Sequence, residues 1–68
     1  MKSYTGVIMW FGDDGETPFY EDYFIMANNR NEVENIMRKE VAKLNGEAKE
    51  YAQRHNEEEV RYYFDKLI

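Results

Sequence analysis

The sequence contains no cysteine, one serine, one histidine and one proline. Without cysteine, no disulfide can stabilise the fold and no thiolate can bind a metal. Catalysis of the Ser-His-Asp type needs a histidine beside a nucleophile and an orienting acid. The sole serine, Ser3, lies near the start of the chain and His55 near its end. We therefore expect a protein that is not an enzyme and that needs no cofactor.

Long apolar runs are also missing. No run exceeds five residues, the length of that from Val7 to Phe11. A secretory leader needs an apolar run of ~7–15 residues, and a membrane-spanning helix needs ~20. The sequence therefore predicts a cytoplasmic protein that does not contact membranes.

The apolar content is nevertheless sufficient for a folded core. Of 68 residues, 43% are hydrophobic and 16% are aromatic. Disordered chains are poor in aromatic residues, and each large ring can bury ~150–250 Å². Chains of this length form one domain, so we expect residues 1–68 to fold as a single unit.

Basic residues are too few to balance the acidic ones, and the net charge is −5. Two segments hold eight of the fourteen acidic residues and no basic one: Asp13, Asp14, Glu16, Glu21 and Asp22, and then Glu57, Glu58 and Glu59. An acidic surface repels phosphates and acidic lipids but attracts basic proteins. The simpler interpretation is solubility alone, since a net charge of magnitude ~2–8 is ordinary for a small domain.

The first third of the sequence predicts an antiparallel β-hairpin. Residues 2–11 and 19–26 are rich in β-branched and aromatic residues, which is typical of strands. Between them, residues 12–18 contain two glycines, two aspartates and a proline, a composition that favours a turn. Alternate positions are apolar on both faces of the hairpin. Either both faces are covered, or one of them exposes aromatic residues.

A helix is predicted from about residue 31 to residue 45. Asn29 and Glu32 have the spacing of a capping box, with Asn31 as a competing cap. Asn45 and Gly46 are typical of a helix end. Apolar residues at spacings of three and four form the face that should pack on the hairpin: Val33, Ile36, Met37, Val41 and Leu44.

The last third is less uniform. Residues 47–55 have helical propensities, but a third strand here would give the sheet the support that a two-stranded hairpin lacks. Asn56 to Glu59 have the spacing of a second capping box, and the following apolar spacing predicts a helix over residues 57–67. The expected fold is α+β, an N-terminal antiparallel β-hairpin packed on two or three helices in the order ββα(α or β)α.

Metal chemistry is weakly indicated. His55 and Glu59 could meet on a helix, but two ligands do not make a zinc site. The carboxylates of Asp13, Asp14 and Glu16 suit calcium chemically, but calcium needs 6–8 oxygen ligands and the spacing is not that of an EF-hand loop. We therefore predict no metal site.

The number of aromatic residues exceeds what one side of a small sheet requires. Aromatic and methionine side chains are enriched in the centres of protein interfaces. Tyr20 is one candidate for such a surface. Tyr62 is another, because it lies off the apolar face of the predicted last helix and should point to water. The alternative is that most of these rings fill the core.

No sequence motif identifies a family. The general profile, a short, acidic, aromatic-rich α+β chain, is similar to that of many phage or plasmid accessory proteins, including inhibitors of host defence systems. That resemblance implies a non-catalytic module that occupies a basic, nucleic-acid-binding surface of a larger protein, without binding nucleic acid itself. The alternative is a structural or regulatory homodimer. The candidate partner-binding residues are Asp13, Asp14, Glu16, Tyr20, Glu21, Asp22, Glu57, Glu58 and Tyr62.

Overall fold

The structure, a computed structural model, describes residues 1–68 and begins with the predicted hairpin. Strand β1 (Lys2–Phe11) pairs antiparallel with strand β2 (Pro18–Ala27) along its full length, from Lys2 opposite Ala27 to Phe11 opposite Pro18. The strand and turn composition described above accounts for this pairing, and the predicted hairpin is confirmed.

The turn of the hairpin is built around Asp14. Its carboxylate accepts hydrogen bonds from the backbone N–H groups of Glu16 and Thr17, both at 2.9 Å, and from the Thr17 hydroxyl. Gly15 has a φ of +72°, a conformation that only glycine adopts without strain. One acidic residue of the turn is therefore required by the backbone geometry itself.

One helix, α1 (Arg30–His55), contains both the helix predicted over residues 31–45 and the ambiguous residues 47–55. The Asn29 side chain caps its start by accepting from the N–H of Glu32 at 2.9 Å. The predicted end at Asn45 and Gly46 is wrong. Gly46 costs an exposed helix only ~1 kcal/mol relative to alanine, and the helical propensities on both sides outweigh that cost. The helix ends instead at Asn56, which adopts the left-handed conformation.

The predicted last helix over residues 57–67 is wrong, and with it the expectation of two or three helices. Residues 57–61 form no helix or strand, and strand β3 (Tyr62–Leu67) follows. β3 pairs antiparallel with β1, which gives the sheet order β2-β1-β3. The three consecutive aromatic residues Tyr62, Tyr63 and Phe64 favour a strand, and the edge of β1 that β2 leaves unpaired supplies its partner. The α+β class is confirmed, with three strands and one helix.

The helix packs on one face of this sheet and forms a small core. The fully buried residues there are Ile8, Ala27, Val33 and Met37. A Cβ atom built on Gly6 would lie 2.6 Å from the Met37 sulfur, so the absence of a side chain allows the helix to approach β1. Ile36 was expected on the packed face, but it is 39% exposed and lies at the margin of the helix contact.

No helix covers the opposite face of the sheet. Of the two alternatives for the hairpin, the structure therefore shows the one in which a face exposes aromatic residues. Strand alternation and the register place one residue set on it: Val7, Met9, Phe11, Tyr20, Phe24, Met26 and Tyr63. Val7, in the central strand, is buried by its neighbours, whereas Phe24 is 80% exposed. We call this surface the open face.

Candidate functional site

Three parts of the chain meet at the hairpin-turn end of the molecule. The turn lies at the end of β1, and β3 begins beside Trp10 at the same end. The helix runs towards this end from its start after β2, because β2 finishes opposite the beginning of β1. The segment 57–61 joins them, and its first N–H, on Glu57, donates to the carbonyl of Ala52 at 3.0 Å.

Asn45 holds this arrangement together. Its side-chain amide donates to the Tyr62 carbonyl at 3.1 Å and accepts from the Tyr62 N–H at 2.7 Å. The amide thereby pairs with the first residue of β3 as a neighbouring strand would. Asn45, which the sequence pattern placed at a helix end, instead fixes where β3 begins.

Between these parts lies an open groove of about 690 Å³. Its apolar lining is Leu44, Ala48, Tyr51, Val60 and Tyr62, and its acidic lining is Asp13, Glu47, Glu57 and Glu58. We call it the acidic groove. The combination of an apolar lining with carboxylates suits a ligand that carries both an aliphatic part and a positive charge.

Aromatic stacking supports one wall of the acidic groove. Trp10 lies between Phe19 of β2 and Tyr62 of β3, with ring centroids 6.0 Å and 5.3 Å away. Tyr62 contacts Trp10 on one side and lines the groove on the other. The expectation that Tyr62 faces water is therefore wrong, because it belongs to β3 and its ring is half-buried beneath the helix.

Every charged residue that lines the acidic groove is acidic. No lysine, arginine or histidine lines it. The two ion pairs of the structure, Arg30–Glu34 and Arg54–Glu50, lie along the helix surface and leave the groove carboxylates unpaired. No three acidic or histidine side chains lie close enough together to hold a metal ion. The carboxylates are therefore spread around the rim rather than gathered on one point.

The structure brings together four of the predicted partner-binding residues: Asp13, Glu57, Glu58 and Tyr62 all line the acidic groove. Asp13 and Glu57, more than forty positions apart in the sequence, therefore contribute to one surface. Glu59 lies next to them in a smaller cavity of about 250 Å³ that also contains Arg61. Because residues 57–61 form no helix, the predicted second capping box over Asn56 to Glu59 is wrong.

The remaining predicted residues do not join the groove. Asp14 serves the turn, and its hydrogen bonds with Thr17, followed by that with Glu16, lower its pKa to about 2. Glu16 lies exposed in the turn. Glu21 follows the alternation of the helix-covered face, whereas Tyr20 and Asp22 lie on the open face. The five acidic residues of the hairpin therefore point to several surfaces and not to one.

Glu21 has a local effect on the covered face. Burial raises the pKa of the Tyr23 hydroxyl above its usual value, and the negative charges of Glu21 and Glu40 raise it further. Tyr23 therefore remains a neutral hydroxyl throughout the ordinary pH range. It contributes to packing beside the helix rather than to any charge on the surface.

Five groove residues were missed by the sequence interpretation as site residues: Leu44, Glu47, Ala48, Tyr51 and Val60. A usable indication existed, because Ala48 and Tyr51 continue the spacing of the helix face beyond Gly46. The predicted helix end at Gly46 separated them from it. Nearby, the ring of Tyr51 packs on that of His55 at 4.1 Å, which gives the single histidine a structural neighbour.

Comparison of the chain with protein-family models, with curated proteins and with solved structures finds no match. The helix α1 is not apolar enough to cross a membrane.

Proposed function

We propose that this protein is a non-catalytic protein-binding module whose acidic groove receives a basic segment of a partner protein. The observation that carries the proposal is the convergence of Asp13, Glu57 and Glu58 with Glu47 around an apolar groove that no basic residue lines. A soluble surface needs acidic residues somewhere, but it does not need them grouped around an apolar depression.

The chemistry of the groove specifies the kind of side chain that fits. Arginine and lysine have apolar stems that pack on hydrophobic surface while their charged ends remain at its edge. In the acidic groove the stem would lie against Tyr51 and Val60, and the charged end would reach a rim carboxylate. Hydrogen bonds to ionised groups are about twice as strong as neutral ones, so the rim would contribute much of the affinity.

We further propose that the partner uses the bound segment to contact nucleic acid. The groove carries charge of the same sign as phosphate, and the whole protein carries a net charge of −5. A protein of that charge is attracted to the surfaces that attract nucleic acid and is itself repelled by nucleic acid. Binding would then inhibit the partner by competition.

The first test uses a synthetic peptide that contains both arginine and lysine, with Trp10 as the reporter. Trp10 is the single tryptophan and contacts Tyr62 in the groove wall, so occupation of the groove should change its fluorescence. Replacing Glu57 and Glu58 with glutamine removes two rim charges. We expect the peptide to bind at least about tenfold more weakly, since each charged hydrogen bond contributes ~1.5–3 kcal/mol.

A matched control separates a local effect from a change in net charge. The double variant Glu32→Gln, Glu34→Gln also removes two negative charges, but at the start of the helix, at the far end from the groove. We expect this variant to bind the peptide within about twofold of the unchanged protein, because exposed charges more than ~10 Å away are screened. Equal weakening by both variants would show nonspecific attraction and would refute the groove as the site.

A second test addresses inhibition. A basic nucleic-acid-binding domain that binds the protein should release an oligonucleotide as the protein is added, and the Glu57→Gln, Glu58→Gln variant should do so less effectively. Both interactions weaken with salt, so the comparison is made at one salt concentration. A ternary complex of protein, domain and oligonucleotide would contradict competition while leaving groove binding intact.

A further inference from the structure

The open face has a composition that the rest of the molecule does not share. Aromatic and methionine side chains lie on it, and Phe24, Tyr20 and Met26 are more than half exposed. Within the strands its charged residues are Asp22 on β2, and Asp65 and Lys66 on β3. These three charges sum to −1, whereas the protein as a whole carries −5. The open face is therefore an apolar surface with little charge on an acidic protein.

The charges of the open face are not evenly spread across it. On the β2 side the charged residue is Asp22. On the β3 side Lys66 lies at the same level of the sheet, with Asp65 beside it. The central strand β1 carries no charge on this face, and Val7 lies between Asp22 and Lys66 in the register. The face is thus apolar along its midline, with an acidic and a basic residue on opposite sides of Val7.

We propose that the open face binds a second copy of this chain, with a twofold axis that runs parallel to β1. Rotation about that axis places β2 of each protomer over β3 of the other. Asp22 of each protomer then faces Lys66 of the other, and Val7 lies opposite its own copy. A twofold axis perpendicular to the strands would instead place Asp22 against Asp22, which charge repulsion disfavours.

The size of the face fits a second copy. With strands ~4.8 Å apart and a rise of ~3.4 Å per residue, the three strands cover about 400 Å² in projection. Two such faces, with protruding rings, would bury roughly 1,000 Å² of accessible surface, near the lower limit for a specific interface. Two three-stranded sheets would thereby form a sandwich with one helix on each outer side. An interface of this size is typical of a weak dimer.

The proposed dimer also determines how the two acidic grooves are presented to a partner, an inference that rests on the function proposed above. An axis parallel to the strands keeps both hairpin turns at the same end of the dimer. The two grooves would then lie at the same end of the dimer, on its two outer sides, and a partner with two basic segments long enough to reach both would bind more tightly through effective concentration.

The experiment is sedimentation velocity over a concentration series, with the fold of every variant checked by circular dichroism. The unchanged protein should dimerise. Phe24→Lys should raise the dissociation constant at least about a hundredfold, because burial of one phenylalanine contributes ~1.5–3 kcal/mol and the dimer contains two. Phe24 is 80% exposed in the single chain, so this substitution leaves the fold intact.

Charge exchange tests the axis. Asp22→Lys alone places like charges together at two sites, as does Lys66→Asp alone, and each should weaken the dimer. The double variant should restore it. An equimolar mixture of the two single variants should also associate, since each then offers the charge that the other lacks.

Several outcomes would overturn the proposal. A monomer at all concentrations would do so, as would a dimer that Phe24→Lys does not weaken, which would indicate pairing along the exposed edge of β2. Loss of dimer in Phe24→Lys without any effect of the single charge variants would overturn the proposed axis. None of these measurements involves the acidic groove, so their failure leaves the proposed function standing.

Discussion

The two faces of the sheet are made from similar residues and differ in what covers them. The covered face buries Ile8 at the centre of the core, whereas the open face leaves Phe24 80% exposed. Both belong to long strands of the same hairpin. The difference shows that the single helix determines which apolar residues stabilise the fold and which remain available for binding.

The contacts that fix the topology also lie on the covered face. Asn45 reaches from the helix to the start of β3, and Gly6 allows the helix to approach β1. On the open face no comparable side-chain hydrogen bond is present. Substitutions on the covered face should therefore change stability, and substitutions on the open face should change association.

The largest expected effect comes from a pair of alanine variants. Ile8→Ala should lower the free energy of unfolding by about 2–5 kcal/mol, since it leaves a cavity in a fully packed site. Only seven residues are buried in this protein, so that loss is a large part of its stability. Phe24→Ala should change it by less than ~0.5 kcal/mol. Urea unfolding at low micromolar concentration measures both, and equal losses would refute the distinction between the faces.

A smaller effect is expected at Asn45. Asn45→Ala removes both hydrogen bonds to Tyr62 and leaves a partly buried backbone N–H and carbonyl without that partner. We expect a loss of about 1–3 kcal/mol in the free energy of unfolding. Hydrogen exchange should show the additional opening in β3 rather than in the hairpin. Uniform loss of protection across all three strands would show that Asn45 does not act on β3 specifically.

Gly46 should respond in the opposite direction. It lies inside a continuous helix, and a Cβ atom there meets nothing within 4 Å. Gly46→Ala should therefore raise the free energy of unfolding by about 0.5–1 kcal/mol. Thermal melting measures the gain. A destabilised variant would mean that the helix is interrupted at this position, as the sequence had indicated.

The smallest effect concerns pH. The pKa of Asp14 is lowered from 3.8 to about 2 in the folded chain, so its ionised form favours folding. This contribution is complete above pH 3.8 and is lost as the pH falls towards 2. Stability measured across that interval should decline less in Asp14→Asn than in the unchanged protein. Identical pH profiles would show that the turn does not depend on the carboxylate.

The sequence predicted the hairpin, a helix start near residue 31 with Asn29 as one of two candidate caps, and four of the residues that line the groove. These features depend on local chemistry: strand composition, turn residues and the spacing of a cap. The predicted hairpin turn also indicated Asp13, whose neighbour Asp14 proves to be structural. Local rules do not distinguish an acid that stabilises a turn from one that faces a ligand.

The prediction of a helix over residues 57–67 was wrong for a different reason. In Val60, Phe64 and Leu67, spacings of three and four predicted a helical face. The same segment fits a strand, with Tyr62 and Phe64 on one side and Tyr63 on the other, and a register shift after Phe64 returns Leu67 to the side of Phe64. The exposed edge of β1 decides between the two, and that edge exists only once the hairpin has formed. Long-range pairing of this kind is not encoded in a local pattern.

The central claim is that a basic segment binds in the acidic groove, at the helix-covered side of the hairpin-turn end. Amide chemical shifts test this claim most directly. The labelled protein, kept at one fixed concentration, is titrated with the arginine- and lysine-containing peptide. We predict that shifts concentrate at Asp13, Ala48, Tyr51, Glu57 and Glu58. Shifts concentrated instead on the open face, at Tyr20, Phe24 and Tyr63, would contradict the assignment of the groove as the binding site.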